Sequence, residues 1–245
     1  MAEPVTERGT WQDKQRILVI LAHPDDPEFF CGATLARWAQ AGHEITYFLL
    51  TCGDKGRNEH NVDIGVNELC ALRHMEQRAA AAVLGITDVH FLDKEDGYLV
   101  PDLALRREVV RAIRRFTPDI LVTCDPQNLF ATYGINHPDH RATGQVVLDA
   151  VFPAAGNELF FPELLEEGLT PHMPKEVWAS LTNQPDVSLD VTAMWETKIR
   201  ALKEHKSQVG EPGKLEERMR SRHTPDSTPE QPRYEEKFKV VSWRP

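Results

Sequence analysis

The stretch LAHPDDPE, Leu21–Glu28, sets a histidine, two adjacent aspartates and a glutamate directly after the apolar run RILVI. Neighbouring carboxylates repel one another and burial worsens the repulsion, so a positive partner is expected among them. HPDH at His137–His140 repeats the idea. In both motifs proline follows histidine, as it does at the first position of a helix, where its missing N–H costs nothing. Residues at i and i+3 then face one side, pairing His23 with Asp26 and His137 with His140. Two imidazoles and one carboxylate drawn from these four complete a tripodal site with a position left for water. The expected cofactor is one zinc ion per chain, or another divalent metal. A single HPD at a helix start would need no metal, because its aspartate simply complements the helix dipole. Two of them, both at strand-to-helix junctions, favour the metal reading.

Those junctions follow from the surrounding pattern. RILVILA (16–22), ITYFLLT (45–51), VHFLD (89–93) and DILVTCD (119–125) are short β-branched and aromatic runs. They alternate with EFFCGATLARWAQAG, VNELCALRHMEQRAAAAVLG and LALRREVVRAIRRF, which have helical period. Gly42 and Gly85 close two of the helices. The alternation predicts a Rossmann-like α/β fold: a mostly parallel sheet with helices on both faces, in a single domain with a C-terminal extension. Ligands of such sheets sit beyond the carboxyl ends of the strands, where both histidine motifs fall. Further on, EVWASLT reads as a strand, TAMWETKIRALKEHKSQ as a helix and KFKVVSW as a strand in a tail rich in proline and charge. The expected division is a polar extension over 1–15, a domain over 16–208 and a tail over 209–245 packed on that domain.

With 245 residues, 41% of them hydrophobic, the chain supports one sizeable core. Its net charge of −10 and the absence of an isolated basic run argue against a nucleic-acid partner. The N-terminus carries neither the basic nor the apolar region of a signal peptide, and no apolar run reaches the roughly 18 residues of a membrane span. A cytoplasmic location is expected. Cys31, Cys52, Cys70 and Cys124 form no CxxC pair and are expected to be reduced and packed.

AHPDDPEFFCGATLARWAQAGHEI, LTCGDKG, RHMEQRAAAAVLG, FLDKEDGYL, NHPDHRATG and ALKEHKSQ together resemble, in order, the LmbE-like or PIG-L zinc-dependent N-deacetylases. The resemblance implies a Rossmann-like fold and removal of an acetyl or longer acyl group from the nitrogen of an amino sugar, glucosaminyl conjugates being the best-known substrates. It implies His23, Asp26 and His140 as metal ligands and Asp25 as general base. His137 with Asp139 would serve the oxyanion and the leaving group. Water on zinc has a pKa near 7, against about 15.7 in bulk, which brings it within reach of a carboxylate. Asp139 is expected to hold His137 through a ring N–H contact and to raise its proton affinity. Glu28 is expected to support the ligands rather than to ligate.

Arg73, in the RxxE of Arg73 and Glu76, is either a solvated residue on its helix face, a partner of Glu76, or a contact to substrate or acetate, as the resemblance to the family implies. Where some relatives place an oxyanion tyrosine this chain has Ile135, and Tyr133 is out of register. The partner expected is a small N-acyl amino sugar or related amide, recognised by loops 54–66, 126–136 and 153–173. Some relatives form trimers or hexamers, so a homo-oligomer is admitted. The alternatives are a catalytically silent metal-binding protein and a nucleotide-binding Rossmann-like protein. GDKG would be the phosphate loop of the latter, although it lacks GxGxxG and follows the second strand rather than the first.

Overall fold

In the computed structural model, which describes residues 8–59, 62–131 and 134–243, the first half of the chain alternates strand and helix. It runs β1 (Arg16–Leu21), α1 (Asp26–Gln40), β2 (Glu44–Thr51), α2 (Val66–Val83), β3 (Asp88–Lys94), α3 (Leu103–Phe116) and β4 (Ile120–Cys124). A short hairpin of β5 (Phe130–Ala131) and β6 (Gly134–Ile135) precedes α4 (Pro138–Asp149), which ends in a π-helical turn, and α5 (Glu163–Glu166). The second half runs β7 (Glu176–Ser180), β8 (Val187–Asp190), α6 (Trp195–Leu202), α7 (Lys206–Val209), α8 (Pro212–Arg220) and β9 (Glu235–Ser242).

The main sheet has the order β3-β2-β1-β4-β7-β9-β8. Its first five strands are parallel, and β9 runs antiparallel to both of its neighbours. Alternation along β1 explains why it reads as an uninterrupted apolar run. Ile17, Val19 and Leu21 enter one core with Leu35 and Trp38 of α1, while Leu18 and Ile20 enter the other with Val109 of α3 and Val146 of α4. Gly42 and Gly85 take the left-handed conformation that the helix ends call for, with φ of 90° and 85°.

Strand β9 coincides with KFKVVSW and occupies an interior place in the sheet, so residues from the tail complete the fold. Strand β8 and helix α8 are additions to the sequence reading. β8 has only four residues, and its pairing partner lies far downstream, so local periodicity does not mark it.

A further feature depends on the tail. Helix α1 is interrupted at Cys31, whose φ is −147°. The interruption frees the N–H groups of Ala33 and Thr34, which donate to the carboxylate of Glu236 at 3.1 and 2.7 Å. Glu236 is paired at 2.6 Å with Lys198, which also donates to the Phe29 carbonyl. The cysteine expectation needs correction, because Cys52 and Cys70 form a disulfide and only Cys31 and Cys124 are free and buried. The end of β2 and the first turns of α2 meet in space, which CxxC spacing does not detect.

Candidate active site

Both histidine motifs lie beyond the carboxyl ends of β1 and β4, and the sheet brings them together. The Nδ1 atom of His23 is 3.2 Å from Nε2 of His140 and 3.3 Å from the Asp26 carboxylate, which lies 3.0 Å from Nε2 of His140. Two imidazole nitrogens and a carboxylate oxygen thus converge on one point, all three residues being buried. Despite burial, His140 and His23 hold the Asp26 carboxyl well below the usual carboxylate range.

The donor chemistry suits a divalent metal because each ring's outer nitrogen has a partner of its own. His140 Nδ1 meets Asn136 Oδ1 at 2.9 Å. His23 Nε2 meets Asp96 at 3.0 Å and Asp139 at 3.3 Å. Oxygen acceptors on those nitrogens favour the tautomer with its N–H outward, the one whose converging nitrogen can ligate. Asp139 is itself anchored by the backbone N–H groups of Gly97 and Leu99. Asp96 and Asn136 are therefore site residues that the sequence reading missed; Asn136 directly precedes HPDH, and Asp96 lies in FLDKEDGYL.

The expected pairing of Asp139 with His137 is corrected. The Asp139 carboxylate serves His23, and His137 is reached by the Asp139 backbone N–H, which donates to its Nδ1 at 3.2 Å. Nor is the proton affinity of His137 raised. Burial lowers it, the His23 and His140 rings add to the lowering, and Asp139 only partly opposes them. With Nδ1 accepting from the Asp139 N–H, the ring N–H of His137 falls on Nε2. The ring stands edge-on to His23 with ring centroids 4.7 Å apart, outside the cluster that His23, Asp26 and His140 form.

Asp25 sits in the left-handed region, φ 92°, and its side chain does not cap α1 although it stands at the N-cap. Its backbone N–H donates to Gln77 Oε1 at 2.8 Å. The Gln77 amide nitrogen then meets both oxygens of the wholly buried Glu28, which His205 also contacts at 3.1 Å. Glu28 supports the loop, as expected, and His205 from ALKEHKSQ joins that support. Burial raises the Asp25 carboxyl above its ordinary value, with the Arg73 guanidinium opposing the rise.

Arg73 is buried, and its donors serve the Gly53 carbonyl at 2.9 Å, the Pro24 carbonyl at 2.5 Å and the Asp25 carboxylate at 3.2 Å. It does not pair with Glu76, which accepts from the N–H and hydroxyl of Ser207. A Cβ on Gly53 or Gly56 would run into the Arg73 guanidinium. The glycines of GDKG are therefore small to house an arginine, which removes the case for a phosphate loop.

These residues open onto a pocket of about 760 Å³. It is lined by His23, Asp25, Asp26, Arg73, Asp96, His137 and His140, by Phe29, Phe30, Ile135 and Leu181, and by the tail residues Arg218, Arg222 and Lys237. Among the described residues of the three loops expected to recognise substrate, Ile135 of 126–136 lines the pocket and none of 54–66 or 153–173 does. Segment 153–173 is engaged elsewhere, its carbonyls at Ala154, Ala155, Asn157 and Phe160 accepting from Arg114. Tyr133 lies outside the described residues.

Residues 18–151 match the PIG-L family, described as GlcNAc-PI de-N-acetylase. A diacetylchitobiose deacetylase of Thermococcus kodakarensis is 32% identical over 201 residues, covering 82% of this chain and 73% of that one. Among solved structures, an N,N'-diacetylchitobiose deacetylase from Pyrococcus horikoshii in complex with its inhibitor MPG superposes with a TM-score of 0.85 at 26% identity, over 96% of this chain and 86% of its own. A 4-carboxy-2-hydroxymuconate hydratase from Pseudomonas putida, at 21% identity and TM-score 0.72 over 94% of this chain and 97% of its own, shares the fold alone.

Proposed function

The chain belongs to the PIG-L, or LmbE-like, family of de-N-acetylases, and on that premise we propose that it is an amide hydrolase removing the N-acetyl group from a small glucosaminyl conjugate. The observation that carries this reading is the convergence of His23, Asp26 and His140 in the lining of a pocket that also holds Asp25. The relatives named as deacetylases of diacetylchitobiose support the amino-sugar class.

His23, Asp26 and His140 would hold the metal, and two imidazoles with one carboxylate suit a single zinc ion at this centre. When bound, such an ion supplies Lewis acidity to water and to the amide carbonyl. Asp25 is the base. It takes a proton from the attacking water on its carboxylate and returns it to the departing nitrogen, so acetate and free amine are formed from amide and water. Arg73 fixes the position of that carboxylate and favours its ionised form. His137, with Nδ1 occupied by the Asp139 N–H, presents Nε2–H as a neutral donor towards the oxygen that gains charge during attack. Asp139 and Asp96 hold a proton on His23 Nε2 and fix the ring, so that Nδ1 is the nitrogen that would face the metal once its own proton is displaced.

No helix among the described residues is long and apolar enough to cross a membrane. A cytoplasmic location and a homo-oligomeric state are carried forward in the proposal, and light scattering reads the second directly. The catalytically silent alternative is separated by product formation. Release of acetate and free amine from a panel of N-acetylglucosaminyl conjugates should be abolished by a chelator and restored by zinc. Turnover that persists after complete metal removal would sink the mechanism.

A further inference from the structure

Cys52, Cys70, His74 and Asp93 each bring one donor atom within 4.8 Å of the others, and none takes part in the chemistry above. Cys70 and His74 stand four residues apart on α2 and so share a face. The Cys70 sulfur is 3.9 Å from His74 Nε2, and Asp93 Oδ1 is 2.9 Å from the same nitrogen. Stacking on Phe91, with ring centroids 3.8 Å apart, fixes the plane of the imidazole. In a zinc tetrahedron with bonds of about 2.0–2.3 Å, neighbouring donors lie roughly 3.3–3.8 Å apart. The Cys70–His74 and His74–Asp93 separations are within a few tenths of an ångström of that range, and the two bonded sulfurs must part for the four donors to surround an ion. Access is open, because His74 and Asp93 line a surface cleft of about 470 Å³. Arg78 lines the same cleft and offsets the net negative charge that two thiolates and a carboxylate leave around a divalent ion.

We propose that this cluster is a second metal site, in which Cys52, Cys70, His74 and Asp93 hold a zinc-class divalent cation whenever the two cysteines are reduced. The disulfide is the metal-free state of the same site. A dithiol reductant opens it by exchange: the reductant's two thiols become a disulfide, giving two electrons and two protons to Cys52 and Cys70. Metal uptake then releases the two cysteine thiol protons, since thiolate is the ligand. Cys52 adjoins Gly53, whose carbonyl holds Arg73, and Cys70 lies one turn before Arg73. Either state therefore ties the loop after β2 to α2.

The test uses the whole chain in two forms, disulfide-bonded and reduced by dithiothreitol, the latter freed of reductant without air. Both are titrated with Co(II). The reduced form should take up one equivalent more than the oxidised form and should develop thiolate-to-cobalt charge-transfer absorption, which His23, Asp26 and His140 cannot produce. His74→Asn and Asp93→Asn leave the cysteines intact and should weaken that equivalent by about tenfold or more. The reduced, metal-free chain should also melt below both the oxidised and the reduced, metal-loaded forms. Equal stoichiometry in the two redox states without a thiolate band would overturn the proposal. So would a thiolate band of unchanged affinity in both His74→Asn and Asp93→Asn.

Discussion

The Arg73 guanidinium lies 3.2 Å from the Asp25 carboxylate and at the same time donates to the carbonyls of Pro24 and Gly53. One buried cation therefore joins the loop after β1 to the loop after β2 and fixes the one carboxylate of HPDD that does not converge with His23 and His140. The contact also sets the ionisation of Asp25, which burial raises and Arg73 lowers.

Removing that charge should move the acidic limb of kcat/KM to higher pH. Without Arg73 the Asp25 carboxylate loses its stabilising neighbour, so its pKa rises further and activity is lost sooner as pH falls. Arg73→Gln should show the shift and Arg73→Lys, which keeps a cation, should show less. A limb that does not move in Arg73→Gln would separate Asp25 from the base.

Adjacent aspartates should separate metal retention from turnover. Asp25→Asn is expected to keep its metal and to lose about 10²–10⁴ in kcat. Asp26→Asn removes a charged ligand and should lose metal first, as metal analysis after gel filtration reads directly. The opposite assignment of the two phenotypes would exchange their roles.

Asp139→Asn and Asp96→Asn should act through His23. Each weakens an acceptor on His23 Nε2, and outer partners of metal ligands typically contribute about 10–100-fold to affinity. Competition with a chromogenic chelator measures that loss. Unaltered affinity in both variants would remove them from the metal's support.

Metal affinity should rise with pH. In the metal-free chain burial opposes a charge on His23, but Asp26, Asp139 and Asp96 outweigh it and raise the pKa well above the ordinary histidine value. A metal must displace this proton, so below that pKa affinity should climb about tenfold per pH unit, and above it should level off. Asp26, held ionised by its neighbours, adds nothing to this dependence at neutral pH. Calorimetry in buffers of different ionisation enthalpy counts the proton released.

Glu236→Ala should lower stability although it lies outside the metal cluster. It strands the buried Lys198 ammonium and leaves the N–H groups of Ala33 and Thr34 unpaired. Breaking a buried ion pair costs roughly 3–5 kcal/mol. Urea unfolding should show a lower midpoint at unchanged m, and an unshifted midpoint would mean that the tail does not brace α1.

Periodicity and local chemistry made much of this protein legible in its sequence. Alternating apolar runs and helical segments specify β1, α1, β2, α2, β3, α3 and β4, because burial on both faces of a parallel strand leaves a continuous hydrophobic signal. HPDD and HPDH mark the metal cluster through local chemistry, but only HPDH sits at a helix start as its spacing suggests, with His137 at the N-cap of α4; His23 and Pro24 lie in the turn before α1, which begins at Asp26 after Asp25 takes a left-handed conformation. Tertiary structure decided which group meets which. His23 and His140 are 117 residues apart, and the Asp139 carboxylate turns to His23 rather than His137 because the N–H groups of Gly97 and Leu99, after β3, hold it there. The same holds for the glycines of GDKG closing around Arg73, the Cys52–Cys70 bond and the capping of α1 by Glu236. A side chain's offset on its own element is a local property, whereas its partner depends on where the sheet delivers loops from distant strands.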